Sequence, residues 1–219
     1  MPVLLQRKKN RLIKKTNNQA LHTQYDNDGT HKLSTKFRTS FTRPFILLFT
    51  QPIVQVCAVY TAIVYGMTYL LLSTFSLLYT TTYHEPIGIS GLNYISIAIG
   101  CYIGAQTSAF LTDRIYRRLA KLDKEGKGRP EFRIPFLLAG SALVPVGLLW
   151  YGWAAEAHTP WIVPDIGIAV YSVGVIVVST SLQAYILDTY TRYAASAFAA
   201  TGFLRSLCGF SFPLFAPAM

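Results

Sequence analysis

Charge is scarce in this sequence. Only 14% of the 219 residues are Asp, Glu, Lys or Arg, against roughly 25% in an ordinary soluble domain. Acid is scarcer still, with ten carboxylates against twenty Lys/Arg and a net charge of +10. Few and segregated charges argue against a water-soluble enzyme, and a 52% hydrophobic content excludes a disordered chain. Cysteine is limited to Cys57, Cys101 and Cys208. Their odd number and apolar surroundings exclude a disulfide-stapled secreted domain. Metal-ligand spacing, a nucleophile elbow and a phosphate-binding loop are all missing. No acid pair is brought together, and the four histidines (His22, His31, His84, His158) are dispersed. The sequence therefore reads as a non-enzyme, with no cofactor and no metal expected. No recognition motif accompanies the basic residues, so nucleic acid is not an expected partner, and the polar first residues do not read as a cleavable signal peptide.

The absences are also organised along the chain. No Asp, Glu, Lys or Arg occurs from Pro44 to His84, Pro86 to Thr112, Ile134 to Ala155 or Ile166 to Leu187, and Tyr193 to Met219 holds only Arg205. A bilayer core takes about 20 mostly apolar residues per helix. These gaps predict five spans, near 53–79, 92–112, 134–153, 166–187 and 193–215. In lipid every backbone amide is paired internally, so the spans are helices. The ten-residue alternation of an outer-membrane barrel is absent. One such run fits a buried helix of a soluble protein, but five leave too little chain to cover them. The expected fold class is all-α transmembrane, with a basic segment at 1–43 and a transmembrane helical bundle at 44–219.

The basic residues set the sidedness. Ten Lys/Arg lie in residues 1–43 and eight in 113–133, whereas 80–91 and 154–165 carry only Glu85, Glu156 and Asp165. The amino-terminal segment, 113–133 and 188–192 are expected on the cytoplasmic side and the two acidic connections outside. Trp150, Trp153 and Trp161 fall near the outer ends of the third and fourth spans, where interfacial indoles belong. The run Arg7 to Lys15 fits contact with anionic inner-leaflet lipid.

The spans carry more than anchors need. Gln55, Ala58, Ala62, Tyr65 and Tyr69 share one face of the first span. Asn93, Ser96, Gly100, Gly104 and Thr107 share one face of the second, where Gly100 and Gly104 allow two helix backbones to approach closely. Ser172, Ser179 and Gln183 form one stripe of the fourth span, and Ser181, Tyr185 and Asp188 form another. Residues 193–202 (YAASAFAATG) offer a small-residue surface. Arg205 lies about 18 Å into the fifth span. An intramembrane arginine marks a functional site facing the bundle interior, unless it snorkels or serves a structural ion pair. Tyr65, Tyr69, Asn93, Gln183 and Arg205 are the candidate pathway residues. Asp188 and Arg192 flank a cytoplasmic turn and read either as a gate ion pair or as solvated loop charges.

The segment GAQTSAFLTDRIYRRL (Gly104 to Leu119) resembles the loop signature of major facilitator superfamily transporters, Gly-x-x-x-Asp-Arg-x-Gly-Arg-Arg. Asp113, Arg114, Arg117 and Arg118 match it, while Ala109 and Tyr116 replace the glycines. TQPIVQ (Thr50 to Gln55), RPEFRIP (Arg129 to Pro135), YGWAAE (Tyr151 to Glu156) and the stretch from Gln183 to Met219 are similar to the fungal multidrug, drug:proton antiporter branch. Residues Pro2 to Leu12 look like the start of that branch's central loop. The resemblance covers nearly the whole chain. It implies a central loop followed by helices seven to eleven of a twelve-helix carrier, a partial bundle lacking its other half. It further implies proton-coupled export of small amphipathic molecules across a plasma membrane, with lipid, substrate, protons and a missing half or full-length carrier as partners. A lone half is expected to be inactive, because alternating access rocks one bundle against another. The alternative is a non-transporting scaffold that docks onto full-length carriers through the small-residue surface at 193–202.

Overall fold

Proline decides where the first membrane-length helix begins. In the computed structural model, Gln51 is extended (φ −106°, ψ 108°) and Pro52 opens helix α2 (Pro52–Thr81). Its missing N–H is one that a helix start leaves unbonded in any case. Helix α1 (Leu33–Thr50) precedes this joint, and the Gln55 amide side chain spans it by donating to the Phe49 carbonyl at 3.1 Å. After α2 come the short α3 (Ile87–Leu92), α4 (Tyr94–Leu122), a 3-10 turn (Pro130–Arg133), α5 (Ile134–Glu156), α6 (Ile162–Thr189) and α7 (Ala194–Phe215). The structure describes residues 7–9, 11–13, 33–122, 130–191 and 193–215. The chain divides into two compact units, 1–43 and 44–219. Short helical segments at 7–9 and 11–13 and the start of α1 are what is described of the first; everything below concerns the second.

All regular structure among the described residues is helical, and five helical stretches are long and apolar enough to cross a membrane: Pro52–Thr81, Ile87–Lys121, Pro130–Glu156, Ile162–Thr189 and Ala194–Phe215. These are the five spans expected from the charge gaps, so the chain is an integral membrane protein. Their ends differ in two informative places. The second span continues as α4 to Leu122, so Asp113, Arg114, Arg117 and Arg118 stand on a helix and not in a loop. Hydropathy marks where lipid ends, whereas the backbone ladder continues into water. The fourth begins at Ile162, four residues before the charge gap, which puts Asp165 in the first turn of α6, where the helix dipole favours a carboxylate.

Two packed sets make up the bundle: α2 lies along α7, while α4 and α5 both lie along α6. Small residues bring the backbones together, which in lipid takes the place of a hydrophobic driving force. A Cβ added at Gly104 would lie 3.0 Å from the Val173 carbonyl oxygen, and one at Gly100 would run into the Ala169 carbonyl. The partner of the GxxxG pair is therefore α6. Gly147 and Gly140 of α5 approach the same helix at Tyr171 and Val177. Half of the apolar stretch of α6 is buried, making it the central helix. In the other set, Ala194, Ala197 and Ala200 are buried together with Val54 and Ala58 of α2. The small-residue surface at 193–202, expected to be exposed for docking, thus has its main edge spent inside the bundle, because alanines let α7 settle against α2.

Polar links also cross between helices. The Tyr171 and Thr68 hydroxyls meet at 2.7 Å, joining α6 to α2, and Thr180 donates to Ser108 at 3.0 Å, joining α6 to α4. Large apolar side chains such as Val56, Ile99, Phe110, Leu138 and Leu214 point outward, as a lipid-facing surface requires. Trp150, Trp153 and Trp161 are exposed around the α5–α6 connection. His158 (φ 47°) turns that corner and His84 (φ 54°) the one after α2, in a left-handed conformation that histidine tolerates better than most side chains.

Candidate functional site

A cavity of about 310 Å³ opens in the seam where α6 diverges from the α2–α7 pair. Three stripes of helical spacing supply its walls: Thr61 and Tyr65 from α2, Ser179, Leu182, Gln183 and Ile186 from α6, and Phe198, Thr201, Gly202 and Arg205 from α7. Residues three, four and seven apart share a helix face, so each helix turns one continuous edge to the cavity. Its depth follows from the helix rise. From Ala194 to Arg205 the axis climbs about 17 Å, and from Pro52 to Tyr65 about 20 Å, while Gln183 lies about 9 Å before Thr189. The starts of α2 and α7 and the end of α6 belong to one side, so the cavity occupies that side and reaches the middle of a core roughly 30 Å thick.

Arg205 dominates the electrostatics. Its guanidinium carbon stands 4.7 Å from the centroid of the Tyr65 ring, a cation–π contact worth about 0.5–2 kcal/mol depending on desolvation. Among the described residues no carboxylate pairs with it, and none lines the cavity. The hydroxyl protons of Thr61 and Thr201 are engaged by the carbonyls of Cys57 (2.5 Å) and Phe198 (3.1 Å). The Ser179 hydroxyl and the Gln183 amide have no such partner among the described residues. The arrangement is thus a polar, cationic recess with an apolar back formed by Leu182, Ile186 and Phe198.

Of the five pathway candidates, Tyr65, Gln183 and Arg205 come together here. Tyr69 and Asn93 do not. Tyr69, one turn beyond Tyr65, is exposed and covers Gly209 of α7. Asn93 is buried at the joint between α3 and α4, where its side chain donates to Glu85 Oε2 at 2.9 Å. The helix is interrupted there, between Leu92 and Tyr94. Of the turn residues, Asp188 is held by a different arginine. Asp188 accepts from Arg133 Nε at 2.6 Å, and the Arg133 guanidinium lies 5.0 Å from the Tyr116 ring centroid, so the carboxylate is bound to the 3-10 turn; Arg192 lies outside the described residues. In the loop motif, Asp113 and Arg117 stand 3.7 Å apart and largely exposed, and Arg114 and Arg118 are exposed beside them.

A second cluster went unread in the sequence. At the opposite end of α6, Asp165 Oδ1 accepts from the Tyr79 hydroxyl at 2.6 Å. Phe75 and Tyr79, one turn apart on α2, are fully buried. Their rings stand 5.0 Å apart, Tyr94 closes on Phe75 at 4.7 Å, and Tyr83 stacks beside Tyr79 at 5.5 Å. The Tyr83 hydroxyl is buried without a partner among the described residues. The 75, 79, 83 spacing was the available signal; Asp165 hid it by reading as a loop residue.

Comparison with known proteins points one way. The profile described as Major Facilitator Superfamily matches residues 4–213. The chain is 47% identical over 216 residues to the efflux pump vrtL of Penicillium aethiopicum, covering 99% of this chain and 42% of that protein. It is 42% identical over 217 residues to the MFS-type transporter oryF of Aspergillus oryzae, covering 99% of this chain and 44% of that one. It is 41% identical over 219 residues to the probable efflux pump mfs2 of Aspergillus flavus, covering 100% and 52%. The chain therefore spans about half the length of these relatives or less. No solved structure matches.

Proposed function

The chain belongs to the Major Facilitator Superfamily, and on that footing we propose that its bundle forms one wall of a transport pathway for small amphipathic organic molecules, exported in exchange for protons across the plasma membrane. The cavity carries the reading. It brings Tyr65, Gln183 and Arg205 from three helices to one recess, with polar groups for orientation and an apolar back for the body of a substrate. A carrier holds its substrate near the bilayer midplane, at the face where one bundle rocks against another, and the recess reaches that depth. Names of relatives such as efflux pump vrtL and probable efflux pump mfs2 support export. The proton link rests on the likeness of Gln183 to Met219 and its companion stretches to the drug:proton antiporter branch. The non-transporting scaffold reading loses its motive, since the main edge of its docking face is buried.

Binding tests the reading directly. The full chain in lipid nanodiscs should bind the neutral aromatic 2-naphthamide saturably, above the partitioning measured in empty nanodiscs. Tyr65→Ala and Gln183→Ala should each weaken that binding several-fold. Indistinguishable signals from loaded and empty nanodiscs would overturn the assignment of the recess as a substrate site.

A further inference from the structure

The geometry points to a cavity that selects organic anions: amphipathic molecules with an aromatic or aliphatic body and a carboxylate or phenolate head. This rests on reading the recess as the substrate site and adds the sign of charge it prefers.

Three observations carry it. First, Arg205 holds a cation near mid-depth with no carboxylate partner among the described residues. Lipid-depth cations ordinarily find one. The Tyr65 ring face at 4.7 Å supplies partial compensation only. Second, the two acids of α6 are engaged elsewhere. Asp188 is bound by Arg133 at 2.6 Å. Asp165 is bound by Tyr79 at 2.6 Å, and the axis of α6 rises about 27 Å between Asp165 and Gln183. Third, donors stand beside the cation, although the same Gln and Ser side chains also carry acceptor oxygens. The Thr61 and Thr201 hydroxyl protons already go to helix carbonyls, which leaves the Arg205 fork with the Gln183 amide and the Ser179 hydroxyl facing the same space. A guanidinium fork matches a carboxylate with two parallel charge-assisted bonds. To an ammonium head the same recess offers only neutral acceptor oxygens beside a like charge, with no carboxylate among the lining residues.

The test compares three probes of one shape: 2-naphthoate, 2-naphthamide and 2-naphthylmethylammonium, titrated at pH 7 onto the full chain in zwitterionic nanodiscs, with empty nanodiscs as the baseline. The naphthoate should bind about tenfold tighter than the amide, the increment of a charge-assisted bond at this depth, and the ammonium more weakly than the amide. In Arg205→Gln the naphthoate-to-amide ratio should fall to about one. Arg205→Lys keeps the charge and loses the fork, and should keep a ratio of roughly threefold. Should the glutamine variant fail to fold, the wild-type ratio and the lysine variant still decide. Equal binding of all three probes, or preference for the ammonium, overturns anion selection while leaving the recess a binding site. Failure of every probe to bind saturably overturns the site itself.

Discussion

The two ends of α6 handle polar groups in opposite ways. Near its start, Asp165 is tied to Tyr79 at 2.6 Å, against a layer of aromatic rings 4.7–5.5 Å apart. Toward its other end, Gln183 and Ser179 face an open cavity whose one charge, Arg205, meets a ring and no carboxylate. In a medium that offers no water, an acid with its donor is a finished interaction, and a cation with only a π-face for a partner is an unfinished one. The first end holds the two helix sets together; the second leaves interaction free energy for something that arrives. The difference separates structure from function without appeal to exposure alone, because both ends are partly buried.

That contrast can be broken by substitution, beginning with the largest effect. Phe75→Ala empties the centre of the aromatic layer and should cost about 3 kcal/mol, the low end for such truncations because lipid replaces water as the competing medium. Thermal unfolding in detergent should show a midpoint lower by roughly 10 °C. Tyr79→Phe removes the donor and leaves Asp165 partly buried without it, for about 1–2 kcal/mol. In a cycle with Asp165→Asn, a coupling near 1 kcal/mol is expected. Additive effects would show that the bond contributes little and that the two ends differ only in packing. Arg205→Gln should change stability by less than about 1 kcal/mol, since losing the contact with Tyr65 is offset by no longer holding a desolvated cation. A loss comparable to that of Phe75→Ala would make Arg205 a structural residue and erase the distinction.

The charge gaps located all five spans, because a lipid environment imposes one requirement on twenty residues at a time. They could not locate what depends on particular neighbours. Gly100 and Gly104 announced a close approach, yet only the structure names α6 as the partner. Arg205 stood out because a lone cation in an apolar run contradicts its surroundings. Tyr65 and Gln183 were legible as members of polar faces, and so was Tyr69, which the fold instead places over Gly209. Asn93 stood out as an amide beside an apolar run, whereas its bond to Glu85 depends on a helix joint that the period does not show. Asp165 escaped notice for the converse reason. It sits at the edge of a charge gap, where a count of apolar residues stops before the helix does.

The smallest predicted effect belongs to the ion pair most conspicuous in the sequence. Asp113 and Arg117 are i,i+4 on α4, 3.7 Å apart, with 63% and 76% of their side-chain surface exposed. At that exposure the attraction is screened by water and salt, and Arg117→Ala should cost no more than a few tenths of a kcal/mol at physiological ionic strength. Arg205 and Arg117 carry the same guanidinium, yet one is expected to govern which molecules bind and the other to leave naphthoate affinity unchanged. If Arg117→Ala lowered that affinity as far as Arg205→Gln does, anion binding would follow the summed positive charge of the chain, not the depth and unpaired state of one arginine. The contrast between the two ends of α6 would then carry no functional meaning.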